Sequence, residues 1–166
     1  MNKQTLIIIA GVVVIVAGFI WLARPAADTI RKEEKTDAVS DFLEIPEKYY
    51  DFGNISMANG NVSHAFKVKN AGSEKITLDK MYTSCMCTSA VMQLNGKEYG
   101  PFGMPGHVGI PKINAMLELG DEAVIEIVFD PNAHGPAGIG KIERTVIIEN
   151  SAGGPIMLNF SANVTP

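Results

Sequence analysis

Residues 62–72 read VSHAFKVKNAG. Apolar Val62, Phe66 and Val68 share one face of an extended chain with His64, and Ala65, Lys67 and Lys69 take the other. Successive side chains on a β-strand point to opposite faces, so this period of two predicts a half-buried strand. Asn70-Ala71-Gly72 then supplies residue types that suit a chain reversal. The register puts His64 in phase with the core, where an imidazole needs a hydrogen-bond partner; it is read as a partly buried, hydrogen-bonded residue and not as a ligand.

Outward from this segment, short runs rich in β-branched and aromatic residues recur from Phe42 to the C-terminus, separated by Gly, Asn, Pro and Asp. Strands are expected at 49–55, 62–70, 75–82, 88–94, 97–102, 123–129, 141–149 and 155–164, a spacing that suits an all-β sandwich. Asn95-Gly96 lies between two such runs, and a type I′ hairpin turn favours these residues because it needs positive φ at both central positions. Residues 100–111, GPFGMPGHVGIP, form a long Gly/Pro-rich segment, and KINAMLELG at 112–120 has room for one helical turn. Long loops of this kind are usually functional or mobile. The expected fold is an all-β, immunoglobulin-like antiparallel β-sandwich over 42–166, preceded by one N-terminal transmembrane helix.

That helix is read from residues 6–23, LIIIAGVVVIVAGFIWLA, an uncharged apolar run. At about 1.5 Å per residue it nearly spans a hydrocarbon core about 30 Å thick. A cleavable signal sequence usually has an apolar region of only about 7–15 residues, so a retained anchor is expected despite the small residues at Pro25-Ala26-Ala27. Residues 1–5 form a short cytoplasmic N-terminus and 24–41 a polar tether of mixed charge. Arg24, Arg31, Lys32 and Lys35 lie on the far side of the anchor, against the usual positive-inside bias. Long domains translocate largely regardless of charge, however, and the N-terminus is placed inside. The expected location is a bacterial cell membrane, single-pass, with the domain on the extracytoplasmic side and envelope proteins as its partners. The net charge of −4, with Lys and Arg scattered along the chain, supplies no phosphate-neutralising face, which excludes nucleic acid.

Five motifs follow one another in order: Asp51-Phe52-Gly53-Asn54-Ile55, Phe66-Lys67-Val68-Lys69-Asn70-Ala71-Gly72, Ser84-Cys85-Met86-Cys87-Thr88, Leu119-Gly120-Asp121-Glu122 and Phe129-Asp130-Pro131. Over residues 45–164 the chain resembles a bacterial family of uncharacterised extracytoplasmic immunoglobulin-like domains marked by D-F-G and S-C-x-C-T motifs, akin to major-sperm-protein and Hydin-type sandwiches. The resemblance implies a fold and a location. It implies no activity, because a sandwich hosts many functions.

The only two cysteines, Cys85 and Cys87, carry the chemistry. On an extended strand residues i and i+2 face the same side, so both sulfurs address one small object. Three states are open. A disulfide would need a bulge or turn, because extended-strand Cα atoms about 6.6 Å apart sit at the limit of disulfide geometry. The second state has both thiols reduced and packed, and the third has them bind a soft metal, since thiolates select Cu(I) or Zn(II). Following the hairpins from residue 75 onward brings Met104, His107 and His134 to the end of the sandwich that holds Cys85 and Cys87. The metal set is therefore Cys85, Cys87, His107 and His134, with Met104 or Met86 adding a thioether. No G-x-S-x-G, H-E-x-x-H or P-loop motif is present, and no enzyme activity is expected. The leading functional expectation is a membrane-anchored binding or assembly module. The alternative is a copper or zinc binding module, and the third reading is thiol–disulfide exchange.

Overall fold

The computed structural model describes residues 42–106 and 109–166. The anchor, the tether, the N-terminal residues 1–5 and His107 lie outside the described residues. Among the described residues no helix is long and apolar enough to cross a membrane.

Among the described residues ten strands form: β1 (Leu43–Glu44), β2 (Tyr49–Ser56), β3 (Val62–Asn70), β4 (Ile76–Thr83), β5 (Thr88–Leu94), β6 (Lys97–Phe102), β7 (Lys112–Leu117), β8 (Glu122–Phe129), β9 (Gly140–Asn150) and β10 (Ile156–Thr165). They make two five-stranded sheets, ordered β1-β3-β8-β5-β6 and β2-β10-β9-β4-β7. Helical structure among the described residues is confined to two 3-10 turns, Met57–Asn59 and Gly135–Gly138. The inner faces meet in a core that takes Phe66, Val68, Ile125 and Ile127 from the first sheet and Leu78, Met81, Val146, Ile148 and Phe160 from the second. Burying one such side chain stabilises the fold by about 1.5–3 kcal/mol. The result is the expected all-β two-sheet sandwich.

Two expectations are corrected. The sandwich is not wholly antiparallel, because β10 pairs with β2 in parallel. These strands come from opposite ends of the domain, so no tight turn forces them to oppose. Their ladder shifts register between Ser161 and Asn163, opposite Gly53 at φ 65. There the Asp51 carboxylate accepts from the Gly53 N–H and the Ser161 hydroxyl, both at 2.9 Å. These two bonds, the Gly53 one first, hold its carboxyl below the ordinary 3.8. The second correction concerns 112–120, which holds strand β7 and no helical turn. Ala115 and Leu117 are buried and pair with Leu78 and Ile76 of β4. Their period of two decided the conformation: Ile113, Ala115 and Leu117 take the inner phase and Lys112, Asn114 and Met116 the exposed one.

The motif around Asn70 is structural. Its amide is buried and donates to Glu74 O (2.8 Å) and Leu117 O (3.0 Å), and its Oδ1 accepts from the Gly72 N–H (3.0 Å). A Cβ on Gly72 would come within 2.7 Å of the Phe42 Cβ, so a side chain cannot fit there without moving β1's approach. His64 behaves as its register predicts, with Nε2 2.7 Å from Glu47 Oε2 and the ring stacked 3.6 Å from Tyr50. Asn95 and Gly96 take φ of 51 and 76 in a two-residue turn between paired Leu94 and Lys97.

Candidate metal centre

The chain leaves one sheet at Thr83, the end of β4, and enters the other at Thr88, the start of β5. Residues 84–87 make that crossover, and hydrogen bonds hold it to its neighbours. Ser84 continues the β4 ladder: its N–H donates to Thr145 O and its Oγ accepts from the Thr145 N–H, each at 2.9 Å. The Thr88 N–H closes a turn on Cys85 O at 3.2 Å, and the Asp130 N–H donates to Cys87 O at 2.9 Å. Beneath the turn the fully buried Thr83 hydroxyl lies 2.9 Å from Cys85 O and 3.0 Å from Thr88 O.

Cys85 and Cys87 therefore sit in a turn and not on an extended strand. Their Cα atoms are 5.3 Å apart, inside the range a disulfide spans, and their sulfurs are paired at 2.50 Å. Both are buried, at 9% and 3% exposure, while Met86 between them is 66% exposed. A closely spaced pair of buried cysteines, with the intervening Met86 side chain turned to solvent, is what this turn imposes.

The expected convergence with His134 is present. β8 lies beside β5, with Phe129 opposite Thr88, so the segment after β8 emerges next to the cysteine turn. Asp130 Oδ1 caps the Asn132 N–H at 2.8 Å, and the Gly135 N–H donates to Asn132 O at 2.9 Å. The Asn132 amide also ties this loop to Met57 O at 2.8 Å. These bonds present His134 with Nε2 3.1 Å from Cys85 Sγ. The two sulfurs and one imidazole nitrogen all lie within 4.8 Å of one another. Met104 is 50% exposed; its neighbour Gly103 accepts the Thr83 N–H at 3.1 Å, so the 100–106 segment does reach this end. Of the expected ligand set, the structure brings together Cys85, Cys87 and His134.

One residue of the site went unread in the sequence. Arg144 of β9 places Nε 3.3 Å from Cys87 Sγ and donates through Nη1 to Glu143 O at 2.8 Å. The signal was there: Ile142, Arg144, Val146 and Ile148 share one phase of β9, the phase whose last two members are buried. A cation in register with the core needs an electron-rich partner, and a cysteine sulfur supplies it.

Chemically, two thiolates and a neutral imidazole are the donors that soft and borderline metal ions prefer. The same two sulfurs joined as a disulfide present no thiolate. The site thus has two exclusive states, a reduced one able to ligate and an oxidised one that cannot.

Comparison with known proteins adds the following. A domain family described as a protein of unknown function (DUF1573) matches residues 43–100, a span that includes the cysteine turn but neither His134 nor Arg144. No curated protein matches the chain. A protein of unknown function from Porphyromonas gingivalis W83 is similar over 78% of this chain at 15% identity and a TM-score of 0.52, and the chain spans 51% of its length. The secreted serine protease VesC from Vibrio cholerae is similar over 75% of the chain at 15% identity (TM-score 0.48, 24% of its length). The CooA pilin subunit from enterotoxigenic Escherichia coli is similar over 75% at 12% identity (TM-score 0.41, 99% of its length). The Porphyromonas gingivalis likeness supports the two-sheet sandwich, and an uncharacterised β-sandwich domain is what these comparisons identify.

Proposed function

We propose that the domain is a soft-metal binding module, tethered by residues 6–23 to a bacterial membrane and carried on its extracytoplasmic side. The observation that supports this is the convergence of Cys85 Sγ, Cys87 Sγ and His134 Nε2 within 4.8 Å, from a crossover turn and a separate loop. The pairing of β5 with β8 brings the two segments together, and what favours a ligand set is that the imidazole nitrogen is turned to the Cys85 sulfur at 3.1 Å. This ranks the metal reading above the assembly reading that leads on sequence alone. The role proposed is binding, not catalysis.

The test is anaerobic titration of the reduced full-length chain in detergent with Cu(I), against a chromophoric chelator, and separately with Zn(II). One equivalent is expected to bind, with binding abolished in Cys85→Ser/Cys87→Ser and weakened at least about tenfold in His134→Ala, because tuning partners alone are worth about 10–100-fold. Binding no tighter than micromolar, or equal binding by the double variant, would refute the proposal.

A further inference from the structure

The reduced ligand set carries a charge that one class of ion balances better than another. Cys85 and Cys87 as thiolates contribute two negative charges and a neutral His134 none. Arg144, with Nε 3.3 Å from Cys87 Sγ, returns one positive charge. Asp130, the nearest acid in sequence to His134, has Oδ1 turned to the Asn132 N–H, and its carboxylate is not among the converging donors. A monovalent ion therefore brings the cluster to neutrality, whereas a divalent ion leaves one net positive charge. That surplus sits beside sulfurs that are 9% and 3% exposed, where water compensates poorly.

Donor chemistry points the same way: two thiolates with one imidazole, the donors that converge among the described residues, suit a soft monovalent ion.

Resting on the metal-binding reading, we infer that the site is built for Cu(I) and that Arg144 sets this selectivity by its charge. Arg144 touches a ligand and not the ion, so it is a positioning and charge-balancing residue. Removing its charge lowers the electrostatic cost of a divalent ion by one unit more than that of a monovalent one.

The experiment compares Cu(I) and Zn(II) dissociation constants for the reduced full-length chain, for Arg144→Gln and for Arg144→Lys. The lysine variant retains the cation without the planar guanidinium. Circular dichroism melts check that each variant is folded. Arg144→Gln is expected to reduce the ratio of Cu(I) to Zn(II) affinity on the order of tenfold, the scale of one charge a few ångströms away in a half-screened site. Arg144→Lys should keep the ratio within about threefold of the parent, since the charge survives. An unchanged ratio in Arg144→Gln, or an equal fall in both variants, overturns the inference while leaving metal binding standing. If the parent chain binds neither ion, the metal-binding reading fails with it. Should Arg144→Gln not fold, the lysine variant still decides: a ratio shifted about tenfold despite the retained charge would refute the charge argument.

Discussion

The Thr83 hydroxyl offers the sharpest link between the energetics of the fold and the shape of the site. It is fully buried, and its one proton is shared between Cys85 O at 2.9 Å and Thr88 O at 3.0 Å, the carbonyls flanking the cysteine turn. Thr83→Val keeps the β-branched shape and opens no cavity, so it deletes only the hydroxyl. Losing the hydrogen bond costs about 1 kcal/mol, and leaving a buried carbonyl short of a donor adds about 1–3 kcal/mol. Since the Thr88 N–H still reaches Cys85 O, the low end applies and about 2 kcal/mol is expected. For a domain of this size that lowers the melting temperature by about 6–10 °C. Thr83→Ser is the control: it keeps the hydroxyl and loses one methyl, worth about 1 kcal/mol. The two variants should separate more clearly in metal affinity. Any part of the valine variant's strain that the chain relieves by letting the turn drift is lost from preorganisation of Cys85 and Cys87, and 1.4 kcal/mol is tenfold in affinity. Thermal melts of the metal-free reduced chain, followed by competition titrations, give both quantities. A Thr83→Val chain that melts within about 1 °C of the parent would refute the reasoning. So would a serine variant that loses as much affinity as the valine one.

Two further outcomes follow from the same hydrogen-bond accounting. Asn70→Ala should destabilise the domain by about 3 kcal/mol in urea unfolding, because it orphans the partners of three bonds at a fully buried position. Asn70→Asp should be worse at neutral pH, since it aims a carboxylate at Glu74 O and Leu117 O, and should recover part of the loss on acidification; an aspartate variant milder than alanine at neutral pH would contradict the assignment. Oxidation of the chain to the Cys85–Cys87 disulfide should abolish metal uptake and reduction should restore it, with the state verified by the two-hydrogen mass difference. Oxidised and reduced chains of equal affinity would show that the sulfurs are not the ligands.

Most of the sandwich is written in its alternation. β3, β5 and β6 follow the expected bounds residue for residue because each is closed by an unambiguous signal, such as Asn95-Gly96 between β5 and β6. β7 was hidden because its inward phase holds only Ile113, Ala115 and Leu117, and apolar Met116 on the outer phase lets the same run suit a helical turn. β1 was hidden because Leu43 and Glu44 are too few to show any period; they pair only because Asn70 and Lys69 are held opposite them. The site was legible to the extent that strand directions are: counting reversals brought His134 to the cysteines. The turn that draws Cys85 and Cys87 together depends on Thr83 and Ser84 at the end of β4 and on Asp130 just after β8, and no local pattern announces that. Arg144 is the instructive miss, since an arginine in the core phase of β9 was as conspicuous as His64 in the core phase of β3.

What separates scaffold from site in this chain is where polar atoms are spent. Asn70 commits both amide hydrogens and its oxygen to backbone groups, and Asp51 spends one oxygen on the Gly53 N–H and the Ser161 hydroxyl. The Asp51-Phe52-Gly53 motif and the Asn70-Ala71-Gly72 end of β3 are thereby accounted for as structure, down to the positive φ of Gly53 and the contact Gly72 allows with Phe42. Ser84 and Thr83 are likewise consumed in holding the crossover. The cysteine sulfurs stand apart: besides each other and the Cys87 N–H, their partners are the hydroxyl of Thr88, the imidazole of His134 and the guanidinium of Arg144, three side chains from three separate segments. A cation, an imidazole and a hydroxyl around two buried sulfurs stabilise thiolate, the form that ligates a metal, at least as well as they pack against a disulfide. A pair kept only for stability would gain little from closing so short a loop, because the entropic return of a cross-link grows with the length of chain it encloses. The economy of the fold therefore places its reactive potential in one turn, where the chain passes from one sheet to the other.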